Sequence, residues 1–238
     1  MKRNLNLRFA KQSCLAFLLG ALALPVLAQQ PTAAERATAL KATMAASQAA
    51  LKQYEWIETT VVSLKGEEKS RKQERCYYGA DGALQKVELS ASPEPEKKRG
   101  LRGRIIERRK EELTDYMKQA VALVKSYVPP SPAKIQAAKD AGKVSVDVLE
   151  PGERARLSFR DYEKPGDDLG VELDLTNNRP LGIKVSSYLE DAKDAVTLDV
   201  RMGQLNDGTT YPSDITLGAK AKDLTVTVKN SGYRKATP

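Results

Sequence analysis

The 238-residue chain contains no histidine. That absence excludes Ser-His-Asp and Cys-His catalysis and every histidine-ligated metal site. Cysteine is nearly missing as well, with two residues in all, Cys14 and Cys76. No Walker-type loop, Gly-x-Gly-x-x-Gly turn or paired-cysteine motif occurs. The chain also lacks any apolar run of the roughly 20 residues that span a bilayer.

The one apolar run, residues 15–26, stands near the N-terminus behind a basic group, Lys2, Arg3, Arg8 and Lys11. It is broken by Gly20 and Pro25 and followed by the small-residue box Val26-Leu27-Ala28. This pattern predicts a cleaved export signal over residues 1–28 and a mature, soluble single domain over 29–238. Cys14 precedes the apolar core, where it cannot serve as a lipidation cysteine. Cleavage would leave Cys76 alone and unable to form an internal disulfide. Two readings of Cys76 stand: a small buried residue, or a reactive thiol beside Arg75. Removing the four basic residues of the leader from 39 leaves 35 against 31 acidic ones. So mild an excess, in an exported chain, argues against nucleic acid as a partner.

Residues 33–54 predict a helix, with Thr32 as N-cap, Glu35 as its box partner and a thin stripe through Leu40, Met44, Ser47 or Ala50, Leu51 and Tyr54. Residues 103–128 predict the helix around which the chain is organised. Its second half carries Leu113, Tyr116, Met117, Ala120, Val121, Val124, Tyr127 and Val128 on one face. Pro129, Pro130 and Pro132 stop it. A third short helix is expected over 131–142, capped by Ser131 and ended by Gly142. Between the first two helices a strand meander is expected over 56–64, 72–78 and 84–89, with a turn at Asp81-Gly82.

From Val144 onward apolar and polar residues alternate, as in Val144, Val146 and Val148 against Ser145 and Asp147, or Val196, Leu198 and Val200 against Thr197 and Asp199. Turn residues punctuate these runs, and with the three earlier strands about ten result in all. The period of two predicts an antiparallel sheet with one dry and one wet face. The expected fold class is therefore α+β: a curved antiparallel sheet, an incomplete barrel covered on its concave face by helices. Such a face either leaves an apolar hollow or is filled by its own side chains, and both readings stand. Trp56, Met117, Val121, Val124, Leu198 and Met202 are the expected lining of a hollow. The basic stretch Lys97, Lys98, Arg99, Arg102, Arg104, Arg108 and Arg109 is either a solvated face or a contact for anionic head groups or an acidic partner. Asp167-Asp168, behind Pro165-Gly166, reads as a solvated turn rather than an acid–base pair.

The order of elements resembles that of the periplasmic lipoprotein carriers and receptors of the LolA/LolB-like superfamily. The local likeness lies in Asn178-Arg179-Pro180-Leu181, in Leu205-Asn206-Asp207-Gly208 with Tyr211-Pro212 and Ile215, and in residues 224–229 leading to Ser231 and Tyr233. The resemblance implies an unclosed barrel whose helical lid shelters acyl chains. Without a lipidation cysteine, the chain resembles the soluble carrier rather than the anchored receptor. Residues 66–75 and 97–110 are more charged than that likeness suggests, and no functional residue of the family carries over. The resemblance thus implies a non-catalytic periplasmic monomer without cofactor or metal, binding lipid or lipoprotein acyl chains. The alternative is an envelope regulator or scaffold that engages a protein partner through residues 97–110.

Overall fold

Among the described residues, three strands precede the long helix and seven follow it, and pairing of the first strand with the last joins the two groups. The computed structural model describes residues 33–93 and 100–236; the expected export signal and Thr32, the expected N-cap, lie outside that description. Helix α1 (Ala33–Leu51) leads to β1 (Tyr54–Leu64), β2 (Glu67–Tyr78) and β3 (Leu84–Ala91). Helices α2 (Leu101–Lys125) and α3 (Pro132–Asp140) follow. The chain ends in β4 (Val144–Glu150), β5 (Arg154–Arg160), β6 (Asp168–Asp174), β7 (Arg179–Tyr188), β8 (Ala195–Gln204), β9 (Thr210–Ala219) and β10 (Leu224–Lys235). All ten form one antiparallel sheet, ordered β3-β2-β1-β10-β9-β8-β7-β6-β5-β4. Its edges β3 and β4 do not pair with each other, so the barrel stays open.

Register decides which side chains share a face, because directly opposed residues point the same way. One row runs Val144–Phe159–Leu169–Val185–Leu198–Leu217–Val226–Val62 across eight strands. From Phe159 to Leu217 it is buried throughout. The next row runs Val146–Leu157–Val171–Ile183–Val200–Ile215–Val228–Thr60. It is buried only at its centre, at Ile183 and Val200. Helices α2 and α3 cover the first row: Ala120, Val124, Tyr127 and Ala138 belong to the same buried cluster as Leu169 and Leu198.

The dry face does not extend over the whole sheet. On β1–β3 the same face carries Glu58, Lys72, Glu74, Lys86 and Glu88. They neutralise one another through Lys86–Glu58 at 2.5 Å, Lys72–Glu74 at 2.7 Å and Lys72–Glu88 at 3.4 Å. This wing stands beside the core rather than in it.

Local chemistry explains the element ends. Gly142, at φ +65°, takes the left-handed conformation that ends α3. Ser131 occupies the N-cap position of α3, but its side chain makes no capping bond; its N–H donates instead to the Tyr162 hydroxyl at 2.7 Å. Helix α2 stops at Lys125, earlier than the apolar stripe, and leaves Tyr127 and Val128 just beyond it.

Leu169 is fully buried at the centre of the first row. Leu169→Ala should therefore cost about 2–5 kcal/mol, read as a lower urea midpoint with unchanged slope. Val148→Ala, at the exposed edge, should stay within about 0.5 kcal/mol.

Candidate functional site

The stripe of α2 lies against β8 and β9, so this helix is the lid on the sheet. Two tyrosines, Tyr116 on the helix and Tyr127 just beyond its end, bind it to the sheet and loops beneath. The Tyr116 hydroxyl donates to Asp194 Oδ1 at 2.5 Å, in the β7–β8 loop. Burial and then that hydrogen bond push the Tyr116 phenol up to about 12. Tyr127, fully buried, donates to Asp167 Oδ2 and lies 2.8 Å from Ser187 Oγ. Burial, reinforced by the Asp167 carboxylate, holds its phenol well above the usual range.

Asp167 is 2% exposed, which corrects its reading as a solvated turn residue. A buried carboxylate is tolerated only when its lone pairs are satisfied. Here Oδ1 accepts the Tyr162 N–H at 2.6 Å, and Oδ2 accepts those of Glu163 at 3.1 Å and Lys164 at 2.9 Å. The β5–β6 loop thus wraps its own aspartate and presents it to Tyr127. Tyr127 is 40 residues from Asp167 and 60 from Ser187, too far apart for sequence to join them.

Five of the six residues expected to line a hollow meet under the lid. Val124 and Leu198 are buried members of the core, and Met117, Val121 and Met202 pack half-buried against it. The helix-covered part of the face is filled by its own side chains. Trp56 belongs to a separate aromatic cluster: it stacks on Tyr233 at 5.4 Å and 13° and approaches Tyr78 at 6.0 Å. Its Nε1 donates to Asn230 Oδ1 at 3.2 Å, and Asn230 Nδ2 donates to the Pro212 carbonyl at 2.9 Å.

Cys76, paired with Trp56 across β1 and β2, is fully buried. Burial, then the charge of Glu58, push its thiol up to about 11. An activated nucleophile would be shifted the other way.

Apolar surface remains open where the lid ends. Val146 and Val148 on β4 are 61% and 64% exposed. Leu157, Val171 and Leu173 beside them are half-buried on the same face. They form an apolar floor that leads from the free edge of the sheet to the buried Ile183 and Val200. Sequence periodicity marks these residues as dry-face positions but does not show which of them a helix covers.

The opposite face is polar. Glu172 receives Arg156 at 2.5 Å, Arg154 at 3.7 Å and Lys184 at 3.9 Å, and the Arg156 hydrogen bond above all holds its carboxyl below the usual range. Glu172, Arg154 and Lys184 border an open depression of about 780 Å³. At its floor a Cβ on Gly182 would stand 2.9 Å from the Val200 carbonyl, so only glycine fits.

Of the basic contact residues, Lys97, Lys98 and Arg99 lie outside the described part of the chain. Arg102, Arg104, Arg108 and Arg109 are all exposed on the first turns of α2. Arg108 pairs with Glu112 at 3.3 Å.

In Leu205-Asn206-Asp207-Gly208, Asp207 has a structural task. It accepts the Tyr54 hydroxyl at 2.6 Å and the Thr209 N–H at 3.0 Å, and the Tyr54 bond above all lowers its carboxyl to about 2.

Tyr127→Phe removes the hydroxyl from Asp167 and Ser187. A loss of about 1–3 kcal/mol is expected, with faster amide exchange concentrated in α2. For Cys76 the ordinary thiol value is 9.0 and the folded one about 11. Between those values the folded chain keeps a proton that the unfolded chain releases, so stability falls as pH rises through that window. Urea midpoints across it should fall less steeply for Cys76→Ala; a residual slope comes from Tyr54, Tyr116, Tyr127, Tyr162 and Tyr233, whose phenols are shifted in the same sense.

No family model matches the chain, and no curated protein does. Among solved structures it is similar to a DUF1329 family protein from Desulfovibrio piger, at 7% identity over 84% of this chain and 93% of that one, TM-score 0.35. It is similar to a LolA superfamily protein from Nitrosomonas europaea, at 10% identity over 84% and 94%, TM-score 0.35. A domain from Vibrio parahaemolyticus assigned to outer membrane lipoprotein sorting shares 12% identity over 85% and 94%, TM-score 0.34.

Proposed function

We propose that the chain is an exported, non-catalytic binding protein that carries or senses acyl chains of lipids or lipoproteins in the periplasm. The carrying observation is the apolar floor Val146–Leu157–Val171, which continues in register into the core yet is left uncovered at the free edge β4. A lone exposed valine needs no explanation. A row of them continuous with a core is a surface that water leaves readily.

The acyl chain lies on this floor and extends toward Ile183 and Val200. Each methylene buried contributes about 0.8 kcal/mol, so a long chain survives purification. A chain-like ligand is supported by the way the floor runs across successive strands from the exposed Val146 toward the buried Ile183 and Val200. A non-catalytic role is supported by the surroundings of Cys76 and Asp167, each buried and each committed to packing or to backbone donors. Export rests on residues 1–28, with 29–238 as the mature domain. No helix among the described residues is long and apolar enough to cross a membrane.

Native mass spectrometry of protein purified from the cell envelope, followed by lipid extraction, tests the reading. Co-purified acyl chains are expected. Val146→Asp should weaken retention of a fluorescent C16 fatty acid about tenfold, because it sets a carboxylate against the chain, and should leave the melting temperature unchanged. A consistently empty protein that also ignores the fatty acid would remove the reading.

A further inference from the structure

Among the described residues, the first half of α2 takes no part in the lid. Every residue from position 101 to 112 is exposed except Gly103, and the helix first meets the core at Leu113. So long a helix is not needed to seat Tyr116 and Tyr127, and the overhang requires its own explanation. Its surface is unusual in two respects at once.

Leu101, Ile105 and Ile106 are 76%, 47% and 49% exposed. Three of the eight large exposed hydrophobics in the described residues thus fall within six positions of one helix. Around them stand Arg102, Arg104, Arg108, Arg109 and Lys110, against Glu107 alone through position 110. At about 100° per residue, Leu101 and Ile105 lie about 40° apart and Ile106 about 100° further round. Arg102 and Arg109 fall between Ile105 and Ile106, and Arg104 and Arg108 flank Leu101. Basic residues in the first turns oppose the helix dipole, and Gly100 offers no side-chain cap, so this charge does not serve the helix itself.

We propose that the overhang of α2 docks the protein on an anionic bilayer surface. Leu101, Ile105 and Ile106 enter the head-group layer, and the four arginines and Lys110 spread over lipid phosphates. Aliphatic tips ringed by long basic side chains suit this interface, because arginine stems lie along apolar surface while the heads stay at the phosphates. Protein interfaces are centred instead on tyrosine and tryptophan, and positions 101–115 contain no aromatic residue. Docking leaves the fold intact, since Tyr116 and Tyr127 hold the other half of the helix to the sheet. It depends on this overhang alone and does not require the acyl-chain site.

Co-sedimentation of the purified protein with phosphatidylglycerol and with phosphatidylcholine vesicles tests it. Binding is expected to phosphatidylglycerol only and to weaken as salt rises. Reversal in Arg102→Glu/Arg108→Glu should reduce binding by roughly fivefold or more per residue. Ile105→Asn/Ile106→Asn, with charge unchanged, should reduce it about tenfold. Circular dichroism and Trp56 fluorescence, remote from the overhang, report folding of each variant. Equal binding to both vesicles, no binding to either, or full binding by the folded arginine or isoleucine variants would each overturn the proposal. So would capture of a protein partner through this helix by a chain that ignores vesicles.

Discussion

The register between β10 and β1 holds the two halves of the sheet to a common face. It sets Val226 opposite Val62 and Val228 opposite Thr60, and so continues the apolar rows of the seven-strand meander into the three-strand one. A slip of one residue would turn Val62 outward and bring Val61 and Ser63 onto the core face. Every other neighbouring pair of strands is consecutive in the chain, so this is the pairing that ties the chain's two ends together. It also sets the limit of the core, since beyond β1 the same face carries Glu58, Glu74 and Lys86.

On that sheet the long helix is divided between two environments. Its C-terminal half is bound by apolar packing and by two tyrosine hydroxyls, one of which reaches a carboxylate already saturated by backbone donors. Such a buried polar contact adds little net stability compared with apolar packing, but it is costly to break, and it selects one seating of the lid. Among the described residues the N-terminal half makes no comparable contact. A seated half and an exposed arm of basic and aliphatic residues therefore belong to one continuous helix. The apolar floor lies on the same face as the seated half and is left exposed at β4, at Val146 and Val148.

Much of this was legible in the residues. Alternation at Val144, Val146 and Val148, and at Val196, Leu198 and Val200, placed strands and faces correctly, because period two follows from the pleat. Pro129 and Pro132, Gly142 and Asp81-Gly82 marked ends and turns for local steric reasons. Coverage was not legible. Val144 and Val148 look alike in sequence, yet one is packed against the core and the other is mostly exposed. Asp167 looks like a turn residue because Pro165 and Gly166 precede it, and its burial depends on a tyrosine 40 positions away.

Spacing within a few residues was enough to set the class of fold, the dry face of each strand and the amphipathic lid. Three outcomes waited on the folded chain: the space under the lid is filled, Trp56 joins an aromatic cluster apart from Leu198, and apolar surface stays open at β4 and on the arm of α2. They depend on where helices cross the sheet. Contacts between residues tens of positions apart set those crossings, and such contacts leave no periodic trace along the chain.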